Sequence, residues 1–378
     1  MSLSVCILTK NEQENISKAI KSVKDIADEI IVLDTGSTDN TLDICRDLIV
    51  RNGRDRSLPP IKIFQTNWTN DFSEARNKLL SFASMDWVLM IDADETFAPE
   101  SIDVIKELTH PPAPSLQLTL KGRGELKDNS VYAIKSINFY DSPQPVEIFG
   151  MKLLPNNGTK EFRGVLHEYP VNKDGSELVI KKLDNIKLFH NGYTEKAEEK
   201  KKFRNLKILD DALNSKNDDL YDKINVLSYA IIESLKLGET EKLSNYIFSM
   251  GKILSSIPAR QVYYYPMVHL SFIYYLKAIS NLDNDIFNKY LEYALHFFPN
   301  SVQIMEIKAI YFFNQRKFDN SLKIFLEIES ILNNDTFYRY SDLNVNEAFK
   351  CCYQKISYCY GMFGNNHQKL FYLNKLNH

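Results

Sequence analysis

Residues 87–95 read Trp87-Val88-Leu89-Met90-Ile91-Asp92-Ala93-Asp94-Glu95, and this stretch decides the fold. Its apolar run is typical of a buried strand in a parallel sheet covered on both faces. Asp92 and Asp94 follow at the carboxyl end, and they point to one face if the extended geometry continues. Ligands of open α/β sheets bind beyond such strand ends, and Mg²⁺ takes one or two carboxylates together with substrate phosphates. The stretch indicates a metal held against a diphosphate, although such a pair can also start a turn and cap the next helix.

Short apolar strands and amphipathic helices alternate along the first 110 residues. This β-α-β-α order predicts a doubly wound, mostly parallel sheet. Residues 109–130, rich in proline and glycine, are either a loop over the site or a surface insertion. Besides the strand at 87–92, strands are predicted at residues 5–8, 29–33, 61–64, 131–137, 149–154 and 186–189.

From about residue 196 the pattern changes to helices alone. Helices of about 15 residues alternate with short polar turns, as in tetratricopeptide-type repeats, and an irregular helical bundle fits the same pattern. Gly238 and Asn314 lie where turns between paired helices are expected. We therefore predict an α/β domain over residues 1–195 and an all-α domain over residues 196–378.

The composition is that of an ordinary globular protein, with 44% hydrophobic and 25% charged residues. A net charge of −3 gives no electrostatic signature of nucleic-acid binding, and the basic cluster at residues 200–204 is interpreted as a solvated helix face. The five cysteines show no zinc-binding spacing, so a reduced, cytoplasmic setting is expected. Neither a signal peptide nor an apolar run of about 20 residues is seen, so no transmembrane segment is expected.

Polar motifs stand at the predicted strand ends. Residues 9–12 follow the first strand, residues 34–39 follow the second, and residues 70–77 open the third helix. Strand-end groups of this kind converge on one crevice in a doubly wound sheet. There Asp34 can accept hydrogen bonds from a base or a ribose, and Arg76 offers a fork for phosphate or for a base carbonyl.

Each motif taken alone has a plainer interpretation as the N-cap of a helix. Asn11, with Glu14 in the manner of a capping box, would open the first helix. Ser37 or Thr38 would open the second, and Ser73 or Asp71 the third. Three such motifs in register with Asp92 and Asp94 favour a binding site over a coincidence of caps.

Taken as an ordered set, the motifs at residues 4–12, 29–39, 70–77 and 91–95 resemble those of family 2 glycosyltransferases of GT-A fold. The resemblance covers residues 1 to 195 and implies a nucleotide-sugar donor and a divalent metal, Mn²⁺ or Mg²⁺. By motif matching it assigns the nucleoside to Thr9, Glu12, Asp34 and Arg76, and the metal to Asp94. The full predicted donor site is Thr9, Asn11, Glu12, Asp34, Ser37, Asp71, Arg76, Asp92 and Ala93.

Residues 162–170 and 189–193 extend the resemblance. With the helical region, they look like the branch that carries tetratricopeptide repeats. That branch includes peptide S-glycosyltransferases, which modify cysteine or serine in glycocin-type bacteriocins, and enzymes that act on bacterial surface glycans. Related chains often have arginines near position 152, where this chain has Lys152, which supplies charge but no bidentate fork.

The chemistry of sugar transfer suggests two further site residues. An incoming nucleophile must lose a proton, and Glu168 is the predicted general base. His190 is the predicted second metal ligand beside Asp94, and an imidazole suits Mn²⁺ better than Mg²⁺. Plainer interpretations are a surface acid for Glu168 and a structural histidine beside a turn for His190.

We therefore predict a soluble, metal-dependent, inverting hexosyltransferase with a UDP-sugar as donor, UDP-glucose foremost, and a peptide cysteine or serine as acceptor. A surface-glycan acceptor is the alternative, and a non-catalytic repeat scaffold with a relic sugar-nucleotide domain is a third reading. The helical domain is expected to dock the acceptor, to form a homodimer, or both.

Overall fold

The structure is a computed structural model that describes residues 2–55, 58–109, 129–139, 145–190, 195–215, 219–257, 266–280, 284–334 and 345–376. The chain divides into two compact units, Met1–Ile208 and Leu209–His378. The division falls inside the helix Glu195–Leu213, whereas the sequence predicts a boundary between residues 195 and 196. Most of the predicted loop at 109–130 lies outside the described residues. None of the helices in these ranges combines the length and the apolar character needed to span a membrane.

The first unit is built on an eight-stranded sheet of order β3-β2-β1-β4-β7-β6-β10-β5, and β8 pairs with β9 in a separate hairpin. Pairing is parallel among β3, β2, β1 and β4 and between β6 and β10. The strands are β1 (Leu3–Thr9), β2 (Glu29–Asp34), β3 (Ile61–Gln65), β4 (Trp87–Asp92), β5 (Glu95–Phe97), β6 (Val131–Asn138), β7 (Val146–Pro155), β8 (Lys160–Arg163), β9 (Tyr169–Asn172) and β10 (Ile180–His190).

Helices cover both faces of this sheet. Val5 and Ile7 of β1 belong to one apolar cluster, and Cys6 and Leu8 belong to another on the opposite face. Side chains alternate along a strand, so every residue of the central strand β1 is buried. The predicted α/β class with a mostly parallel sheet is confirmed. The helices are α1 (Ile16–Ser22), α2 (Thr41–Asp55), α3 (Phe72–Ser81) and α4 (Ile102–Thr109).

One strand runs against the parallel order. β7 lies between β4 and β6 and is antiparallel to both. The sequence predicts β7 as a strand but not its direction, and it does not predict β5, β8 or β9. These three strands have only three or four residues each, too few to show a periodic pattern.

Two predicted helix starts are wrong. The first helix begins at Ile16, without a side-chain cap, and Asn11 lies in the preceding turn at φ 56°. The second begins at Thr41, whose backbone N–H donates to Asp39, so neither Ser37 nor Thr38 caps it. In both turns the polar residues form hydrogen bonds with each other and do not cap the helix that follows. Each helix therefore begins later than the sequence predicts.

The second unit consists of helices in its described residues, as predicted. α6 packs on α7 and α8, and α10, α11, α12 and α13 pack in chain order, around a core that includes Phe325, Ile328 and Cys352. Gly238 ends α6 in the left-handed conformation at φ 72°, and α10 ends at Asn314, so both turns lie where the sequence places them. The helices are α5 (Glu195–Leu213), α6 (Leu220–Leu237), α7 (Thr240–Leu254), α8 (Pro266–Ile279), α9 (Asn284–Phe297), α10 (Val302–Asn314), α11 (Phe318–Asn333), α12 (Val345–Met362) and α13 (Asn366–Lys375).

Candidate active site at the strand ends

Strand register brings three predicted site residues side by side. Thr9 at the end of β1 pairs with Asp34 at the end of β2, and Leu8 pairs with Asp92 at the end of β4. All three strands are parallel, so their carboxyl ends meet at one edge of the sheet. The Thr9 hydroxyl is buried and has no hydrogen-bond partner among the described residues. A buried hydroxyl without a partner is costly, and a ligand atom at this edge would satisfy it.

The turn after β2 is organised by Asp34. Its Oδ1 accepts from the backbone N–H groups of Gly36 (2.9 Å) and Ser37 (3.0 Å), and its Oδ2 accepts from the Ser37 hydroxyl. Gly36 adopts φ 98°, which favours glycine. The turn is tied to the one after β1, because the Asn11 backbone N–H donates to Ser37 Oγ at 2.8 Å and Asn11 Oδ1 accepts from Thr38. Hydrogen bonds therefore link Asp34, Ser37 and Asn11 into one group, which we call the rim of the site.

Glu12 lies beside this rim. Its backbone N–H donates to Thr41 Oγ1 at 2.8 Å, and its Oε2 accepts from Asn15 Nδ2 at 2.9 Å. Burial raises the pKa of the Glu12 carboxyl, the hydrogen bond from Asn15 opposes the rise, and the negative charge of Asp94 adds to it. Glu12 and Asp94 thus belong to the same electrostatic environment, although they follow different strands.

Arg76 on α3 bridges two carboxylates. Its Nε donates to Glu168 Oε1 at 2.9 Å, and its Nη2 donates to Asp92 Oδ1. Arg76 is 5% exposed, and its Nη1 is buried without a partner among the described residues. Burial alone would lower the pKa of Arg76, but Asp92 and then Glu168 raise it above its usual range. The guanidinium joins α3, β4 and the Glu168 loop at one point.

A second cation, Lys152 of β7, lies on the other side of Asp92. Its Nζ is 2.8 Å from Glu95 Oε2 and 3.3 Å from Asp92 Oδ2. Burial would raise the pKa of Asp92, but Arg76 and Lys152 hold it far below the usual range. Lys152 therefore neutralises carboxylates of its own chain. A lysine between apolar residues of a strand indicates such a role, because a buried charge needs a partner of opposite charge.

Asp92 and Asp94 do not share one face, contrary to expectation. β4 ends at Asp92, and Ala93 and Asp94 form a turn, which Glu95 closes by accepting from the Asp92 backbone N–H at 2.9 Å. Because the extended geometry stops, Asp92 faces Arg76 and Lys152, whereas Asp94 faces other groups. Ala93 is buried between them.

Asp94 lies with His190 and Lys201. Its Oδ2 is 3.0 Å from His190 Nε2 and 3.8 Å from Lys201 Nζ. Burial alone would lower the pKa of His190, but the carboxylate of Asp94, together with Glu95 and Asp92, raises it above the usual value. Lys201 belongs to the basic cluster that the sequence interprets as a solvated face, and the structure adds its contact with Asp94, which no periodic signal in α5 predicts.

The donor set of this pair fits a divalent cation. One carboxylate oxygen beside one imidazole nitrogen suits Mn²⁺. Within the described ranges, there is no group of three or more His, Cys, Asp or Glu side chains that could hold a metal ion. Asp94 and His190 would therefore supply two ligands and leave the other positions to phosphate oxygens, as in sites where a substrate completes the coordination.

Glu168 is carried by a loop between β8 and β9 that is fixed to α3. The Phe72 backbone N–H, at the start of α3, donates to the Val165 carbonyl at 3.0 Å. Gly164 adopts φ 96°, and a Cβ there would lie 3.4 Å from the Leu166 carbonyl oxygen. The Glu168 side chain is 14% exposed, so it is partly accessible as well as paired with Arg76.

Asp71 has a structural partner of its own. Its Oδ1 caps α3 by accepting from the Glu74 backbone N–H at 3.0 Å, and it also accepts from the Ser73 hydroxyl at 2.7 Å. Of the two caps proposed for this helix, Asp71 is the correct one. Its role in donor binding stays a prediction, as do the roles of the other predicted site residues.

Part of the first unit matches a known protein family. Residues 4–136 match the family model described as glycosyl transferase family 2, about a third of the 378 residues. The SPbeta prophage-derived glycosyltransferase SunS of Bacillus subtilis is 32% identical over 215 residues, which are 55% of this chain and 44% of that protein. A TPR repeat-containing protein of Synechococcus elongatus is 38% identical over 99 residues, 26% of this chain and 22% of that protein. The chain thus spans less than half the length of either relative.

Among solved structures, the crystal structure of S. aureus TarS 1-349 in complex with UDP-GlcNAc aligns with 77% of this chain and 91% of that chain, at 15% identity and a TM-score of 0.41. The resemblance to family 2 glycosyltransferases that the sequence motifs indicate is confirmed by the family match.

Proposed function

We propose that this chain, whose residues 4–136 form a glycosyl transferase family 2 domain, is an inverting glycosyltransferase that moves a sugar from a UDP-sugar to a cysteine or serine of a peptide. The observation that carries the proposal is the meeting of Thr9, Asp34 and Asp92 at one sheet edge, with Arg76 bound to Asp92. This edge offers hydrogen-bond acceptors for a nucleoside, and Glu12, Asn11, Ser37, Asp71 and Ala93 complete the proposed donor site.

The diphosphate would lie on the Asp94 side of the site. Asp94 and His190 would hold Mn²⁺ or Mg²⁺, which supplies positive charge to the diphosphate as its bond to the sugar breaks. We add Lys201 to this group, because its ammonium lies 3.8 Å from Asp94 Oδ2 and can donate to a phosphate oxygen. The cations Arg76 and Lys152 are already paired with carboxylates, so they are less available to a phosphate.

Glu168 is the proposed general base. The acceptor sulfur or oxygen attacks the anomeric carbon, the bond from that carbon to the phosphate oxygen breaks, and UDP leaves with the electron pair. The acceptor proton passes to the Glu168 carboxylate, which Arg76 holds in place through Oε1. A single displacement of this kind inverts the anomeric centre. A thiol acceptor demands less of the base than a hydroxyl, because its pKa is near 8.5.

The peptide acceptor rests on the resemblance to the repeat-bearing branch of the family. A relative named as a TPR repeat-containing protein supports the proposal that the helical unit is of that kind. Repeat surfaces suit extended ligands, so we propose that the helical unit docks the acceptor peptide.

The test combines donor binding with product analysis. Calorimetry of UDP with and without Mn²⁺ should show tighter binding with the metal, and Asp94→Ala should remove that gain, whereas Asp43→Ala, on the exposed face of α2, should keep it. Mass spectrometry after incubation with several UDP-sugars and a small cysteine-containing peptide should show a mass increase of one hexose. Metal-independent UDP binding without any glycosylated product would contradict the proposal.

A further inference from the structure

A buried amide adjoins the proposed metal ligand His190. Asn138 ends β6 and His190 ends β10, and the parallel register pairs these two residues. Asn138 Oδ1 lies 2.9 Å from His190 Nδ1, and Asn138 is 3% exposed. The contact is therefore set by the sheet itself rather than by a loop.

The orientation of the Asn138 amide follows from its other partners. The Nδ2 group faces two backbone carbonyls, that of Val146 at 3.2 Å and that of Ser136 at 3.4 Å. Carbonyl oxygens only accept hydrogen bonds, so the donating NH₂ group must lie on their side. The flipped amide would place an oxygen against both carbonyls. The atom that faces His190 is consequently the amide oxygen.

This orientation places a hydrogen on Nδ1 of His190. An amide oxygen only accepts, so His190 Nδ1 must carry a hydrogen to bond with it. His190 Nε2 is 3.0 Å from Asp94 Oδ2, which also accepts only, so without a cation both ring nitrogens carry a hydrogen. When a cation replaces the hydrogen on Nε2, Nδ1 keeps its own and the Nε2 lone pair becomes available as a ligand. Histidine metal ligands commonly donate their other N–H to a fixed acceptor, which orients the ring and selects the ligating nitrogen.

We propose that Asn138 is a positioning residue of a divalent-cation site formed by His190 and Asp94. It keeps a hydrogen on Nδ1 and so leaves Nε2, which lies beside the Asp94 carboxylate, as the nitrogen that ligates the cation. The inference rests on the proposed function, because the cation is the one that would accompany the UDP-sugar. Asn138 itself contacts neither the cation nor the donor.

The first test is a mutant cycle on metal-dependent UDP binding. We expect Asn138→Ala to raise the Mn²⁺ concentration that gives half-maximal enhancement of UDP binding by about 10- to 100-fold. UDP affinity without metal should not change. In a His190→Ala background, Asn138→Ala should have no further effect on the metal requirement, because the ring it positions is absent. Equal losses in both backgrounds would overturn the proposal.

A conservative variant separates positioning from folding. Asn138→Asp keeps an acceptor oxygen for Nδ1–H but loses both bonds to the backbone carbonyls. We expect the Mn²⁺ requirement of Asn138→Asp to be close to that of the wild type, in contrast to Asn138→Ala. Thermal unfolding of all variants checks that they are folded. A purely structural role for Asn138 predicts that the Asp and Ala variants are equally impaired.

The second test uses the wild-type protein with UDP and Mg²⁺, a diamagnetic cation. Long-range ¹H–¹⁵N NMR of the histidine rings, with His190 assigned from His190→Ala, should show a hydrogen on Nδ1 and none on Nε2. A hydrogen on Nε2 would overturn the proposal even if UDP binding were metal-dependent. Absence of any metal effect on UDP binding in the wild type would count against the proposed function instead.

Discussion

Arg76 Nε lies 2.9 Å from Glu168 Oε1, although 92 positions separate the two residues in the chain. The same guanidinium bonds to Asp92 at the end of β4. One buried cation thus connects the proposed general base to the acidic turn that would carry the metal ligand Asp94. A displacement of Arg76 would therefore disturb both Glu168 and the turn that follows Asp92.

We expect Arg76→Ala to lower the free energy of unfolding by about 3 kcal/mol, because it leaves the largely buried Glu168 carboxylate without this partner and Asp92 with Lys152 alone. Urea unfolding measures this loss. The matched control is Arg46→Ala, which breaks an exposed ion pair with Asp43 and should cost less than about 1 kcal/mol. Equal effects of the two changes would show that the Arg76 bridge contributes nothing beyond a surface pair.

We expect Glu168→Gln to lower kcat by about 10²- to 10⁴-fold, because the amide cannot accept the acceptor proton. The amide oxygen can still accept from Arg76 Nε, so the KM for the donor should change little. Steady-state kinetics with varied donor separates the two constants. Glu161→Gln, in β8 of the same hairpin, is the control and should keep normal turnover. A large rise in donor KM with unchanged kcat would make Glu168 a binding residue.

We expect Lys201→Gln to weaken UDP binding by about 10- to 150-fold, because a charge-assisted hydrogen bond to phosphate contributes about 1.5 to 3 kcal/mol. Stability should be nearly unchanged, since the Lys201 side chain is 35% exposed. Calorimetry with UDP and with uridine distinguishes the diphosphate from the nucleoside, and only UDP should be affected. Lys202→Gln, the next residue of α5, serves as the control. Identical UDP affinity in both variants would remove Lys201 from the site.

We expect the stability of the helical unit to fall as the pH drops from 6.5 toward 4, because of His269. This histidine is fully buried, its Nε2 is 2.7 Å from Ser301 Oγ, and burial lowers its pKa to about 4. The unfolded chain therefore takes up the proton first, and the loss between pH 7.5 and 5 is about 2 kcal/mol.

Urea unfolding at the two pH values measures this loss. His269→Gln should reduce the difference in unfolding free energy between them, whatever its effect on stability at either pH, and exposed His367→Gln should leave the difference unchanged. A pH dependence that persists in His269→Gln would assign it to other groups.

Local patterns predict the centre of the sheet well. β1, β2 and β4 are continuous apolar runs, and their polar ends identify Thr9, Asp34 and Asp92 without any tertiary information. Parallel pairing then requires that these ends meet. The all-helical second half is equally evident from its periodicity.

Partners that are remote in the chain could not be predicted. Arg76 was expected to meet a ligand, and the structure pairs it with Asp92 and Glu168. Lys152 meets Asp92 and Glu95 because β7 enters the sheet beside β4, and sequence periodicity carries no information on that order. The amide of Asn138 is similar, since its importance depends on the register between β6 and β10.

The position of β7 has a consequence for expressing residues 4–136, the family-model match, as a separate fragment. The family match stops at Ser136, yet β4 and β6 are both completed by residues 146–155, and β6 by β10 as well. A fragment cut at the end of the match would expose bare backbone along two strands, and such edges promote aggregation. It would also lack Glu168 and His190. The smallest useful expression fragment must therefore extend beyond residue 190, well past the end of the family-model match.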